Sequence, residues 1–219
     1  QFEQINADPG IRVVKLTANT QGQPRPVFCA GYHIGSFNQQ DNDPQLFERV
    51  ANTLAELRPI TLCAINGSVY GGATDLMLAC DLSVGLTGIE FRMPATALGL
   101  HYYPGGLQRY VARLGLSGAK RAFLTARPFT AEMLWHMGCF EALVAPEDFD
   151  ATVNRLISEI ADLAPLAVQA TKQSLNEIAA GQASLDAMRA REAATSASQD
   201  FAEGQLAFQE KRKARFAGR

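Results

Sequence analysis

The sequence predicts an α/β fold in which alternating strands and helices are followed by a helical region. Short runs of β-branched residues alternate with helical spacing in the first half of the 219 residues, which indicates a βαβ-type core. Apolar residues in the second half recur almost throughout at helical spacing. We therefore divide the chain into a core, residues 1–145, and a helical region, residues 146–219, which we expect to supply an oligomer interface.

The elements of the first half follow from runs and breaks in the sequence. Helical spacing begins at Leu46 and is ended by Pro59. A second helix opens at Gly71 and Gly72 and continues through Leu78. Four short runs predict strands at residues 11–17, 60–65, 81–85 and 90–93.

The second half of the chain consists of helix candidates. The final one is polar outside its apolar stripe. The predicted helices cover residues 106–114, 117–125, 130–137, 149–163, 166–179 and 184–216.

Composition excludes several classes of function. The net charge of −2 gives no general attraction to nucleic acid or to an acidic membrane. No apolar run reaches the ~18 residues of a membrane span, and the first residues lack a signal-peptide pattern. The chain does not begin with Met, which is consistent with a trimmed start. We expect a cytoplasmic protein with no nucleic-acid or membrane partner.

The cysteines and histidines do not form a metal-binding pattern. No C-x-x-C occurs, and His33, His101 and His136 have no ligand spacing. We therefore expect no metal and no disulfide. The expected state of all four cysteines is reduced and buried: Cys29, Cys63, Cys80 and Cys139.

Two glycine-centred turns, at residues 28–34 and 66–75, are the strongest candidates for a site. In the second turn a strand becomes a helix at Gly71 and Gly72, so unpaired backbone N–H groups point out of the helix N-terminus. Such amides bind phosphate or stabilise an oxyanion. The spacing alone fits an ordinary turn equally well. No lysine follows Gly72 as in a nucleotide P-loop, and Ser68 lacks the spacing of a nucleophile elbow.

The combination of motifs around these turns resembles the crotonase superfamily, the enoyl-CoA hydratases, isomerases and their relatives. The motifs are F-C-A-G at 28–31, I-N-G-x-x-x-G-G at 65–72, A-C-D at 79–81 and P-G-G-x-Q-R-Y at 104–110. The resemblance continues through residues 123–126, 164–167 and 208–213. It implies a crotonase-like ββα spiral core with a helical C-terminal trimerisation region, assembled as a homotrimer or a dimer of trimers. The opening β-hairpin of the family has no counterpart here, consistent with a truncated start.

The resemblance also implies a shared chemistry, in which two backbone amides stabilise the enolate of an acyl-CoA thioester. The implied donors are the N–H groups of Tyr32 and Gly72. Ala30 and Lys211 are the implied contacts with coenzyme A, which arrives as part of the substrate, so that no prosthetic group is expected.

The acid–base positions depart from the hydratase pattern. Hydratases of the family use two glutamates, and here Asp75 and Ala95 occupy those positions. Aspartate is one methylene shorter, and misplacing a catalytic group by ~1 Å can cost ~100-fold in rate. Alanine cannot move a proton. The sequence therefore argues against hydration by the two-glutamate mechanism.

Three alternatives stay open. In the methylmalonyl-CoA decarboxylase branch the second glutamate is also missing, and a tyrosine that matches Tyr102 binds the substrate carboxylate. That branch has a histidine directly after A-G, whereas here it comes one residue later, at His33. Isomerisation needs one base, for which Asp75 or His101 would have to serve. The third alternative is a non-catalytic scaffold that binds coenzyme A.

Overall fold

The computed structural model describes residues 1–32, 43 and 45–219, and its strands form two four-stranded sheets. In chain order the strands are β1 (Val13–Thr17), β2 (Val27–Cys29), β3 (Ile60–Ile65), β4 (Ser68–Tyr70), β5 (Leu82–Leu86), β6 (Glu90–Arg92), β7 (Phe129–Thr130) and β8 (Ala142–Val144). One sheet has the order β1-β3-β5-β8, and its β3–β5 and β5–β8 pairs are parallel. The other has the order β2-β4-β6-β7, with β7 antiparallel to β6. The predicted α/β class is confirmed.

Helices make up most of the remaining described residues. They are α1 (Phe2–Ala7), α2 (Leu46–Ala55), α3 (Gly72–Ala79), α4 (Pro104–Thr125), α5 (Ala131–His136), α6 (Phe149–Ala161), α7 (Pro165–Ala179), α8 (Leu185–Ser196) and α9 (Gln199–Glu210). Short 3-10 helices lie at Ala95–Leu98 and Pro146–Asp148. Within the described residues, no helix has the length and apolarity that a membrane span requires.

The chain forms two compact units. One consists of residues 1–14, 57–60 and 154–219, and the other of residues 15–56 and 61–153. The second unit contains both glycine turns. The division into an acyl-CoA-binding core and an oligomerisation region stays a prediction.

Helix α3 lies in the core of the second unit, packed between α2 and α4. Six of its eight residues are buried, and two of these, Thr74 and Asp75, are polar. Buried polar groups must find hydrogen-bond partners inside the protein. The burial of α3 therefore determines what surrounds the candidate site.

The turn at Asn66 and Gly67 brings β4 alongside β2. A Cβ atom at Gly67 would lie 2.7 Å from the backbone of both Pro26 and Phe28, so only glycine fits there. The N–H of Ser68 donates to the carbonyl of Pro26 at 2.9 Å. The two strands pair in parallel from this point, with Cys29 opposite Val69, and therefore end side by side.

The predicted single helix over residues 184–216 is wrong. The structure ends α8 at Ser196 and begins α9 after Ser198, whose hydroxyl accepts the N–H of Phe201 at 3.0 Å. A serine at this position favours a new helix start because its side chain satisfies an N–H group of the first turn. After Lys211 the chain leaves the helix, and Asp200 accepts the N–H of Ala217 at 2.7 Å.

The expected burial of the cysteines is confirmed in part. All four are free thiols, and Cys63, Cys80 and Cys139 are buried. Cys29 is only half-buried, because it ends β2 beside the exposed Ala30.

Replacing Gly67 by alanine tests whether this close packing holds β4 against β2. Because the new methyl group would press on backbone atoms, we expect Gly67→Ala to lower the free energy of unfolding by about 2–3 kcal/mol in urea denaturation. Gly204→Ala is the control. Its Cβ would be 3.6 Å from the Phe216 ring, an ordinary contact, and alanine inside a helix gains ~0.5–1 kcal/mol over glycine. Equal effects of the two substitutions would contradict this account.

Candidate active site

The two glycine turns meet at the ends of β2 and β4. A Cβ atom at Gly31 would lie 2.8 Å from the carbonyl oxygen of Tyr70 and 3.3 Å from the Cα of Gly71. Gly31 has a φ of +91°, which favours glycine as well. Tyr32, the next residue, therefore leaves the turn beside the start of α3, with 41% of its surface exposed. His33 lies outside the described residues.

The start of α3 is built from Gly71 and Gly72. Gly71 has a φ of +58°, and its N–H donates to the carbonyl of Arg92 at 2.9 Å. Gly72 is the first helical residue, so its N–H has no carbonyl four residues earlier within the helix. The Phe47 ring lies 2.9 Å from the place that a Cβ at Gly72 would take. The N–H of Gly72 thus begins the helix from a glycine backbone, and the Phe47 ring leaves no room for a side chain at Gly72.

Asp75, one turn further along α3, is completely buried and held by Arg109 of α4. The guanidinium donates from Nε to Oδ1 at 2.8 Å and from Nη2 to Oδ2 at 2.6 Å. The hydroxyl of Tyr103 also donates to Oδ2. A third guanidinium nitrogen, Nη1, donates to Oδ1 of Asn52 at 2.7 Å. Both carboxylate oxygens of Asp75 are therefore engaged inside the protein.

Tyr102 connects to the same group of side chains. Its hydroxyl donates to that of Tyr103 at 3.0 Å, and the two ring centroids are 4.2 Å apart. Only 6% of Tyr102 is exposed, and Phe123 packs against its ring at 5.4 Å. Burial, and then the nearby charge of Asp75, raise the pKa of Tyr102 and Tyr103 well above the ordinary value for a phenol. Both tyrosines are therefore neutral hydrogen-bond donors near neutral pH.

The other predicted site residues differ in their exposure. His101 is exposed. Ala95 is buried in its 3-10 helix. Ala30 is exposed at the end of β2. Lys211 is exposed at the end of α9, in the other compact unit.

Sequence reasoning missed the partners of Asp75. Arg109 lies in the P-G-G-x-Q-R-Y motif, but nothing in the sequence joins it to a residue 34 positions earlier. Asn52 and Glu48 both lie on α2, one turn apart, and Glu48 Oε1 accepts the N–H of Gly105 at 3.0 Å. The i,i+4 spacing of these two polar residues on one helix face was the available signal.

The whole chain, residues 1–219, matches the family described as enoyl-CoA hydratase/isomerase. The chain belongs to this family.

Relatives in the enoyl-CoA hydratase/isomerase family include proteins with different reactions. The chain is 31% identical to the 2,3-dehydroadipyl-CoA hydratase of Escherichia coli, over 100% of this chain and 86% of the relative. It is 26% identical to the methylmalonyl-CoA decarboxylase of the same organism, over 96% and 82% respectively. The crystal structure of an enoyl-CoA hydratase from Bacillus anthracis superimposes with a TM-score of 0.85 at 26% identity, covering 100% of this chain and 86% of that one. The predicted α/β fold of this family, with its helical C-terminal region, is confirmed; the trimer stays a prediction.

The ion pair between Asp75 and Arg109 gives a stability test. Arg109→Gln leaves a buried carboxylate without its charge partner, so we expect a loss of about 3–5 kcal/mol in the free energy of unfolding. Adding Asp75→Asn removes the charge and should recover part of that loss.

The control for the ion pair is Arg155→Gln. Arg155 and Glu159 form a pair with 63% and 55% of their side chains exposed, and such pairs contribute only about 0–1 kcal/mol. Denaturation curves that place Arg109→Gln within 0.5 kcal/mol of this control would show that the buried pair is not the main constraint on Asp75.

Proposed function

We propose that this chain decarboxylates a short 2-carboxyacyl-CoA thioester of the methylmalonyl-CoA type. The observation that carries the proposal is the engagement of both Asp75 oxygens by Arg109 and Tyr103. The family's first carboxylate position is thereby withdrawn from proton transfer, while the amides at the two glycine turns stay in place.

In the proposed reaction the bond between C2 and the carboxylate carbon breaks and carbon dioxide leaves. The electron pair of the broken bond moves into the C1–C2 bond, and the thioester oxygen takes the negative charge of the enolate. The N–H groups of Tyr32 and Gly72 donate to that oxygen, and one such donor contributes about 3–4 kcal/mol to lowering the barrier. A proton from solvent then adds to C2.

Hydration and isomerisation fit the side chains less well. Hydration by the family's two-glutamate mechanism needs a second carboxylate where Ala95 stands. Isomerisation needs a base to remove a proton from carbon. Of the two candidates, Asp75 is fully buried and paired with Arg109, which leaves the exposed His101. Decarboxylation produces the same enolate without any base, because loss of carbon dioxide replaces loss of the proton.

The charges around the site also favour decarboxylation. Asp75 neutralises Arg109, so a substrate carboxylate beside Tyr102 meets no net positive charge. It meets a neutral hydroxyl, which would turn its proton from Tyr103 to the carboxylate, while Tyr103 keeps its bond to Asp75. A cation would stabilise the carboxylate in the ground state, whereas only stabilisation that grows toward the transition state accelerates the reaction. Neutral donors orient the carboxylate and still allow it to leave.

Mass spectrometry of an acyl-CoA panel tests the reaction. We expect methylmalonyl-CoA to lose carbon dioxide and crotonyl-CoA to stay unchanged. Tyr102→Phe should raise KM for methylmalonyl-CoA about tenfold or more with little loss of kcat, since it removes a hydrogen bond to the charged carboxylate of the bound substrate. Gain of water by crotonyl-CoA would establish a hydratase instead. A protein that binds coenzyme A and changes none of the thioesters would be the non-catalytic scaffold.

The pH dependence of kcat separates this mechanism from one with a titrating base. Burial, and then the charge of Asp75, raise the pKa of Tyr102 and of Tyr103 above the ordinary value for a phenol. Both side chains therefore stay protonated from about pH 6 to pH 9. We expect kcat for decarboxylation to be flat over that range. An acidic limb near the ordinary pKa of histidine, about 6.5, would contradict the proposal and point to His101 or His33.

The proposal extends to the assembly and the coenzyme A contacts. We propose a homotrimer or a dimer of trimers in the cytoplasm. Large apolar side chains of α7–α9 are exposed, with Phe208 86% exposed, and this supports an interface between copies of the chain. Ala30 and Lys211 are the proposed coenzyme A contacts. Light scattering on the purified protein measures the oligomeric mass directly.

A further inference from the structure

Two hydroxyl groups in the core lead to the start of α3. The hydroxyl of Thr74 donates to the carbonyl oxygen of Gly71 at 2.7 Å, and it is also hydrogen-bonded to the hydroxyl of Tyr110 from α4. Thr74 and Tyr110 are both completely buried. We call Tyr110, Thr74 and the Gly71 carbonyl the hydroxyl relay. None of the steps in the proposed reaction uses Thr74 or Tyr110.

The direction of the hydroxyl relay follows from counting protons. A threonine hydroxyl has one proton and two acceptor sites, and Thr74 gives its proton to Gly71. Tyr110 must therefore be the donor to Thr74. Burial raises the pKa of Tyr110 well above its ordinary value, so its hydroxyl keeps the proton that it donates.

The carbonyl at the end of the hydroxyl relay belongs to the peptide unit that also carries the N–H of Gly72. A peptide unit is planar, so fixing the carbonyl oxygen of Gly71 fixes the direction of that N–H. A hydrogen bond to the carbonyl also polarises the unit and strengthens its N–H as a donor.

This peptide has no side chains of its own to hold it in place by packing, since both of its residues are glycine. Gly71, with its φ of +58°, has the backbone freedom that makes such a unit easy to rotate. Hydrogen bonds hold this peptide in place instead. The carbonyl of Gly71 accepts from Thr74 twice, from the hydroxyl and from the N–H at 3.0 Å.

We infer that Thr74 and Tyr110 are positioning residues, which orient and polarise the Gly71–Gly72 peptide toward the thioester oxygen. The inference rests on the proposed role of the Gly72 N–H. It assigns the strength of that donor to two residues that touch neither substrate nor coenzyme A.

The test uses Thr74→Val, Thr74→Ser and Tyr110→Phe in the full chain. One readout is the infrared stretching frequency of propionyl-CoA labelled with ¹³C at the thioester carbonyl, which falls when hydrogen bonds polarise the carbonyl. The other is kcat and KM for methylmalonyl-CoA. We expect Thr74→Val to reduce the frequency shift on binding. The same variant should lower kcat roughly fivefold at unchanged KM, because the Gly72 N–H becomes a 10–30% weaker hydrogen-bond donor. Tyr110→Phe should cost about twofold, and Thr74→Ser should restore wild-type values.

Thr61→Val is the matched control. Thr61 is equally buried, and its hydroxyl donates to Asp81 at 2.9 Å, so the variant loses stability without touching α3. The inference is overturned if Thr74→Val keeps the full frequency shift, or if Thr61→Val reduces it as much. If Thr74→Val does not fold, the frequency shifts of Tyr110→Phe and Thr74→Ser are compared instead, and equal shifts overturn the inference.

The two proposals fail in different ways. If the wild-type protein binds propionyl-CoA with no frequency shift, the proposed role of the Gly72 N–H is wrong, and the inference falls with it. If the shift is present and depends on Thr74 but methylmalonyl-CoA is not decarboxylated, the hydroxyl relay stands and the proposed reaction is wrong.

Discussion

The close approach of two glycine backbones, at Gly31 and Gly71, is the constraint on which the candidate site depends. A Cβ atom on Gly31 would lie 2.8 Å from the carbonyl oxygen of Tyr70, so the turns meet only because Gly31 carries no side chain. Parallel pairing of β2 with β4 delivers both turns to the same place. Gly67, in the turn before β4, makes that pairing possible because only glycine fits against the backbone of β2 there. Three glycines thus use the register of one sheet to bring the two turns together.

The second constraint is the burial of α3, which makes every polar side chain on that helix find a partner. Asp75 is hydrogen-bonded to Arg109 and Tyr103, and Thr74 is hydrogen-bonded to Tyr110 and the Gly71 carbonyl. Removing one member of a buried ion pair costs more than the pair contributes, so Asp75 and Arg109 can only be changed together. The same interactions that stabilise α3 decide which chemistry stays possible beside it.

Local sequence was a good guide where an element is long or strongly patterned. The strand at Ile60–Ile65 and the start of α3 at Gly72 were predicted as the structure has them. Strands β2 and β4 were missed because three residues are too few to show a period of two. Family motifs pointed to Asp75 and Tyr102, but they did not reveal that Arg109 neutralises Asp75, because that contact depends on how α4 packs against α3.

The neutrality of the ion pair explains why the two proposals belong together. With Asp75 and Arg109 cancelling, the charge that moves during decarboxylation is the substrate's own, from its carboxylate to its thioester oxygen. Donors at the carboxylate end retard that movement and donors at the oxygen end promote it. A site that offers phenol hydroxyls at one end and a helix N-terminus at the other is therefore biased in the productive direction. Strengthening the Gly72 N–H through Thr74 increases that bias without adding a charge that would hold the carboxylate back.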